Sequence, residues 1–136
     1  AQAQSLGIAG AVHFAGRLAR DEVAALYREA DALLNPTTVD NMPNSVIEAL
    51  TSGVPVISTE VGGVPYIVTH EDTALLVPAQ DPQAMAAAMC RLMTDADLRA
   101  RLACAGIASV ADYTWPRVRG QWLDQYRQAV GEPVCV

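Results

Sequence analysis

The apolar positions of this chain fall into short unbroken runs, separated by stretches in which they recur at helical spacing. "AVHFAG" (11–16) is an apolar run closed by glycine, and "RDEVAALYREAD" after it sets Val23, Leu26, Tyr27 and Ala30 on one side of a helix. A strand and then a helix are expected there. "ALLN" (32–35) reads as a second buried strand stopped by Pro36, and "PNSVIEALTS" (43–52) as a helix with Pro43 at its first position and Gly53 just past its end. "VPVIST" (54–59) and "ALLVP" (74–78) are further strands. Asp81-Pro82 opens an alanine-rich helix to Met93. Another helix is expected from Asp95, breaking near Gly106, and a last one from Thr114 to Val130 carries Trp115, Val118, Trp122, Leu123 and Tyr126.

Strands alternating with helices predict an α/β fold with a parallel sheet, helices on its faces and right-handed crossovers. Ligands of such sheets sit outside the carboxyl ends of the strands. The loops at Gly16-Arg17, at 36–42 and at Gly62-Gly63 each follow an expected strand, so all three should gather on that edge.

Composition narrows the field. At 136 residues the chain is the size of one domain; with 51% hydrophobic but only 5% aromatic residues, its core must be aliphatic, as buried parallel strands require. Nine arginines and no lysine against fifteen acids give a net charge of −6, which repels phosphate backbones and argues against nucleic-acid binding. Cys90, Cys104 and Cys135 lack a C-x-x-C spacing, so neither a disulfide framework nor a zinc site is expected, and they read as apolar fillers in a reducing, cytoplasmic setting. No apolar run reaches the length of a membrane span.

The stretch from Asn35 to Gly63 concentrates the candidate chemistry. A helix beginning at Pro43 leaves the N–H groups of Asn44, Ser45 and Val46 free at the positive end of its dipole, which attracts phosphate. Val46, Ile47 and Leu50 fall on one side of that helix and Asn44, Glu48, Thr51 and Ser52 on the other. Glu48 is thereby placed to accept hydrogen bonds from the vicinal hydroxyls of a ribose, and Asp40, just before the helix, lies where a sugar beyond the phosphates would be. Taken singly, each feature has a plainer reading: a helix-end acid caps or faces solvent, paired glycines turn the chain, and Arg17 is a surface charge. His13 and His70 have no neighbouring pattern that suggests catalysis.

Order and spacing favour the functional reading. Val12, Phe14 and Gly16, then Leu26, Tyr27, Ala30 and Asp31, match a "V-x-F-x-G … L-Y-x-x-A-D" pattern. Asp40, seven residues, then Glu48, Ala49, Gly53, Pro55 and Val56 match "E-x(7)-E-A-x-x-x-G-x-P-V", and "VGGVP", "LLVPAQD" and "YTW" follow. From Leu6 to Tyr126 the chain resembles the C-terminal, donor-binding half of family-four retaining glycosyltransferases of the GT-B fold, a Rossmann-like domain.

The resemblance implies transfer of a sugar from a nucleotide diphosphate sugar to an acceptor glycan, lipid or small molecule, with retention of configuration and with no metal or other cofactor. Asp40 and Glu48 would be the catalytic-site acids, and Gly16, Arg17, Asn41, Met42, Pro43, Asn44, Ser45, Gly62 and Gly63 would contact the donor. Three positions depart from the pattern: Asp40 stands where Glu is usual, Pro43 where Gly is frequent, and Tyr66 where Glu follows "GG-x-P". The resemblance further implies that residues 1–136 are one nucleotide-sugar-binding domain of a longer enzyme, cytoplasmic or membrane-peripheral, whose first strands and acceptor domain lie upstream. The competing reading is a non-catalytic Rossmann-like module that binds a nucleotide or a protein partner.

Overall fold

Three short strands, Leu33–Asn35 (β1), Val56–Thr59 (β2) and Leu75–Val77 (β3), form a parallel sheet in the order β1-β2-β3 in a computed structural model that describes residues 1–131. Asn35 lies opposite Ser58, and Thr59 opposite Val77, so the three carboxyl ends share one edge. The helices are Gln2–Ser5 (α1), Arg20–Glu29 (α2), Asn44–Thr51 (α3), Val64–Ile67 (α4), Pro82–Thr94 (α5), Ala96–Val110 (α6) and Trp115–Val130 (α7).

The alternation of side chains along a strand divides the core in two. Val56 and Leu76 face a cluster containing Val46, Ala49 and Leu50 of α3 and Val64 and Ile67 of α4. Ile57, Leu75 and Val77 face the other way, onto Leu92 of α5 and Leu98 and Leu102 of α6. Both faces of β2 and β3 are thus covered, which is why these strands read as unbroken apolar runs. Asp81 accepts the Ala84 N–H at 2.8 Å and Asp95 accepts that of Leu98 at 2.8 Å, so each acid caps the helix it was expected to open.

Four expectations are corrected. Residues 11–16 form no strand: a 3₁₀ turn at Ala9–Ala11 leads into backbone that is extended at Val12 but pairs with no strand among the described residues, and Phe14 is 86% exposed. Extended backbone becomes a strand only where a neighbour completes its ladder. Gly106 does not break α6. It sits in the helix interior where a Cβ would lie 2.7 Å from Leu50 Cδ2, so the missing side chain lets α6 approach α3. Cys90 and Cys104 are exposed thiols rather than fillers, while Cys135 lies outside the described residues. Finally, α4 occupies a stretch for which the pattern predicted no helix.

Candidate functional site

The loops after β1 and β2 meet at the carboxyl edge of the sheet, and hydrogen bonds fix them there. Thr59 Oγ1 donates to the Thr37 carbonyl at 2.6 Å, Asn35 Nδ2 donates to Ser58 Oγ at 3.0 Å, and Thr37 Oγ1 closes a turn onto the Val39 carbonyl at 3.0 Å. Ser58 and Thr59 are buried polar residues at the end of an otherwise apolar strand. Thr59 anchors the 36–42 loop through Thr37, while Ser58 ties the ends of β1 and β2 together through Asn35. The polar pair that ends the apolar run "VPVIST" is the signal in the sequence for that anchor.

Gly62 and Gly63 sit directly beneath residues 40–42. The Gly63 N–H donates to the Asp40 carbonyl at 2.9 Å. A Cβ on Gly63 would lie 1.4 Å from the Asn41 carbonyl oxygen, and one on Gly62, whose φ is +53°, would lie 1.8 Å from that of Asp40. The space freed by the glycine pair is therefore filled by the chain's own backbone. Asp40 is held at the sheet edge through its carbonyl, which leaves its carboxylate out of this contact.

Helix α3 begins one residue later than the sequence suggested. Pro43 is the N-cap, with extended backbone and no capping side chain, and Asn44 is the first helical residue. Pro43 is also buried, so it closes the floor of the turn. The Val46 N–H, expected to be free, donates to the Pro43 carbonyl at 3.1 Å. Among the described residues the N–H groups of Asn44 and Ser45 have no partner, so the helix start retains two donors along with its dipole.

Val46, Ala49 and Leu50 are buried against the sheet, which turns Glu48 outward on the opposite face. There it lines an open groove of about 470 Å³ with Leu18, Arg20, Val23 and Tyr27 from the α2 side and Ile47, Thr51 and Ser52 from its own helix. Apart from Arg20, Glu48, Thr51, Ser52 and the Tyr27 hydroxyl, the walls are apolar. Tyr27 Oη lies 3.2 Å from the Ser45 carbonyl and 3.4 Å from Glu48 Oε2. Burial, and then the negative charge of Glu48, raise the Tyr27 pKa above that of an ordinary phenol.

The predicted site residues thus fall into two groups joined by α3. Asp40 and Asn41 rest on Gly62 and Gly63, while Glu48 faces the groove toward α2. Asn41, Met42 and Asn44 are exposed around the helix start. Gly16 and Arg17 are exposed and follow no strand; from that segment it is Leu18 and Arg20 that reach the Glu48 groove. Tyr27, which the periodicity assigned to an apolar face, turns out to present its hydroxyl to the acid. Tyr66, the residue standing in place of an acid, is 84% exposed. Among the described residues no three His, Cys, Asp or Glu side chains cluster as metal ligands, and no helix is long and apolar enough to cross a membrane.

Residues 1–95 match the family described as glycosyl transferases group 1. A D-inositol 3-phosphate glycosyltransferase of Corynebacterium urealyticum is 34% identical over 125 residues, which is 92% of this chain and 30% of that protein. The chain spans about a third or less of the curated relatives it matches, 27% in the relative from Salinispora tropica. Among solved structures, sucrose-phosphate synthase from Thermosynechococcus elongatus superposes with a TM-score of 0.89 at 31% identity, over 96% of this chain and 33% of that one. The Anabaena protein HepE, solved with UDP-glucose, shares the fold at a TM-score of 0.86 and 21% identity, over 93% of this chain and 35% of its own.

Proposed function

Because the chain belongs to the group 1 glycosyl transferases, we propose that residues 1–136 form the donor-binding domain of a retaining GT-B enzyme that moves a sugar from a nucleotide diphosphate sugar to an acceptor. The observation that carries this reading is Glu48, an exposed carboxylate in a groove one turn beyond two unpaired N–H donors at the start of α3. In this reading Asn44 and Ser45 donate to the diphosphate, and Glu48 accepts from the ribose hydroxyls. The transferred sugar lies toward Asp40, whose position the Gly63 N–H fixes. Met42 and Pro43 shape the turn between them.

Breaking the glycosidic bond builds negative charge on the departing diphosphate. Fixed donors and a helix dipole aimed at that charge stabilise it without reorganising during the reaction. The base and ribose approach along the groove between α2 and α3, past Leu18 and Arg20. The UDP-glucose bound by the HepE structure makes uridine donors the first to test.

The acceptor, a glycan, lipid or small molecule, is brought by another part of the enzyme, and the domain itself contributes no metal or cofactor. The product is a glycan or glycoconjugate made on the cytoplasmic side, a reducing setting that suits the exposed thiols of Cys90 and Cys104. A non-catalytic binding module is not favoured, since the relatives matched over most of the chain are named as glycosyltransferases.

Glu48→Ala in the full-length enzyme tests the assignment. Hydrogen bonds to a charged group contribute about 1.5–3 kcal/mol, so donor affinity should fall roughly ten- to a hundredfold. Because the side chain is exposed, the melting temperature should hold. Unchanged donor affinity would refute the ribose role.

A further inference from the structure

Tyr27 joins the core to the Glu48 groove. Its ring packs on the cluster that holds Val46, Ala49 and Leu50, beside Leu33 and Ile47, while its hydroxyl reaches the polar face of α3. There it lies 3.2 Å from the Ser45 carbonyl and 3.4 Å from Glu48 Oε2. Among the described residues it is the one side chain within hydrogen-bonding distance of the Glu48 carboxylate.

Building on the donor-site reading above, we propose that Tyr27 is a positioning residue whose O–H holds the Glu48 carboxylate in the orientation that receives the ribose. An exposed glutamate turns about three side-chain bonds, and a ligand that needs one of its orientations must suppress the rest. A hydrogen bond from a ring already fixed in the core removes part of that freedom before the ligand arrives. The geometry leaves the carboxylate able to act. Tyr27 occupies one acceptor position on Oε2, and Oε1 with the remaining lone pairs stays open to two hydroxyls.

The same hydroxyl is within reach of the Ser45 carbonyl. Its single proton goes to one of the two acceptors at a time, so the positioning role belongs to the state in which it is donated to Glu48. At 3.4 Å the contact to Glu48 is long, as such bonds often are before ligand tightens them. A phenol is protonated at neutral pH without help, and burial and the charge of Glu48 only raise its pKa further. A tyrosine serving only as a core wedge needs its ring and not its hydroxyl, and Tyr27→Phe separates the two roles.

The test uses the full-length protein that carries this chain. UDP, ADP and GDP are titrated by calorimetry against wild type, and the tightest binder is then compared with its 2′,3′-dideoxy form in wild type, Tyr27→Phe, Glu48→Ala and the double variant. The readout is the ratio of the two affinities within each protein, which does not depend on the folded fraction of a preparation. Tyr27→Phe should keep the melting temperature and lower the ribose preference about two- to tenfold, the span of one hydrogen bond. In the Glu48→Ala background it should change nothing further. A ratio unchanged in Tyr27→Phe but reduced in Glu48→Ala overturns the positioning role and leaves the donor site standing. A ratio unchanged in Glu48→Ala, or no nucleotide binding by wild type, overturns the donor reading and the Tyr27 role with it.

Discussion

Gly63→Ala isolates the contact that fixes Asp40. Gly63 has φ of −84°, a conformation that alanine adopts freely, so any effect must come from space rather than from backbone strain. A Cβ there would stand 1.4 Å from the Asn41 carbonyl oxygen, and contacts under 3.0 Å are essentially never seen, so the two segments must separate by at least 1.6 Å (3.0 − 1.4). The Gly63–Asp40 hydrogen bond, 2.9 Å long, cannot survive that shift. Its loss contributes about 0.5–1.5 kcal/mol and the overpacking about 1–3 kcal/mol, so a destabilisation of roughly 2–4 kcal/mol is expected. Displacement of Asp40 by more than 1 Å should also reduce turnover, on the order of a hundredfold, because catalysis depends on near-attack geometry.

Denaturant unfolding followed by circular dichroism gives the first quantity, and hydrogen exchange at the Gly63 amide reports directly on the broken bond. Gly120→Ala is the matched control. A Cβ at that helical position meets nothing within 4 Å, and alanine there should stabilise by up to about 1 kcal/mol. A Gly63→Ala protein with wild-type stability and an equally protected residue-63 amide would refute the close approach of the two loops.

Gly106→Val should destabilise by about 2 kcal/mol, since its Cβ alone would stand 2.7 Å from Leu50 Cδ2; adding Leu50→Ala should cost less than the two single changes summed, as unfolding of the double variant will show. Hydrogen bonding from Arg91 lowers the Glu71 pKa, so this pair should stabilise the fold above the ordinary carboxylate range and be lost as pH falls through the lowered value. Melting temperatures from pH 6 down to pH 3 should show a shallower decline in Glu71→Gln, and identical slopes would refute the linkage. Turnover of the full-length enzyme should survive a chelator; complete loss that a divalent ion restores would contradict a transfer that needs no metal.

Elements whose signals are local were legible along the chain. Unbroken aliphatic runs specified β2 and β3, because strands covered on both faces carry no polar alternation, whereas β1, expected to be buried, leaves Leu34 exposed; Asp81-Pro82 and Asp95 marked helix starts that each acid caps through its own side chain. The helical spacing of Val46, Ile47 and Leu50 already turned Glu48 away from the core, although Ala49 rather than Ile47 completes the buried face. Features that depend on a partner distant in the chain became visible only in the folded molecule. Residues 11–16 have the composition of a strand but find no neighbour among the described residues to complete a ladder. Gly106 reads locally as a helix breaker, yet the approach of Leu50 makes it a packing residue inside α6. Gly62-Gly63 signals a turn, but only the close passage of Asp40 and Asn41 explains why side chains are excluded there. Tyr27 looks apolar by its spacing, and the docking of α2 beside α3 is what brings its hydroxyl to Glu48 across twenty-one positions of sequence. Periodicity encodes which face of an element is buried; it does not encode which atoms from elsewhere arrive on that face.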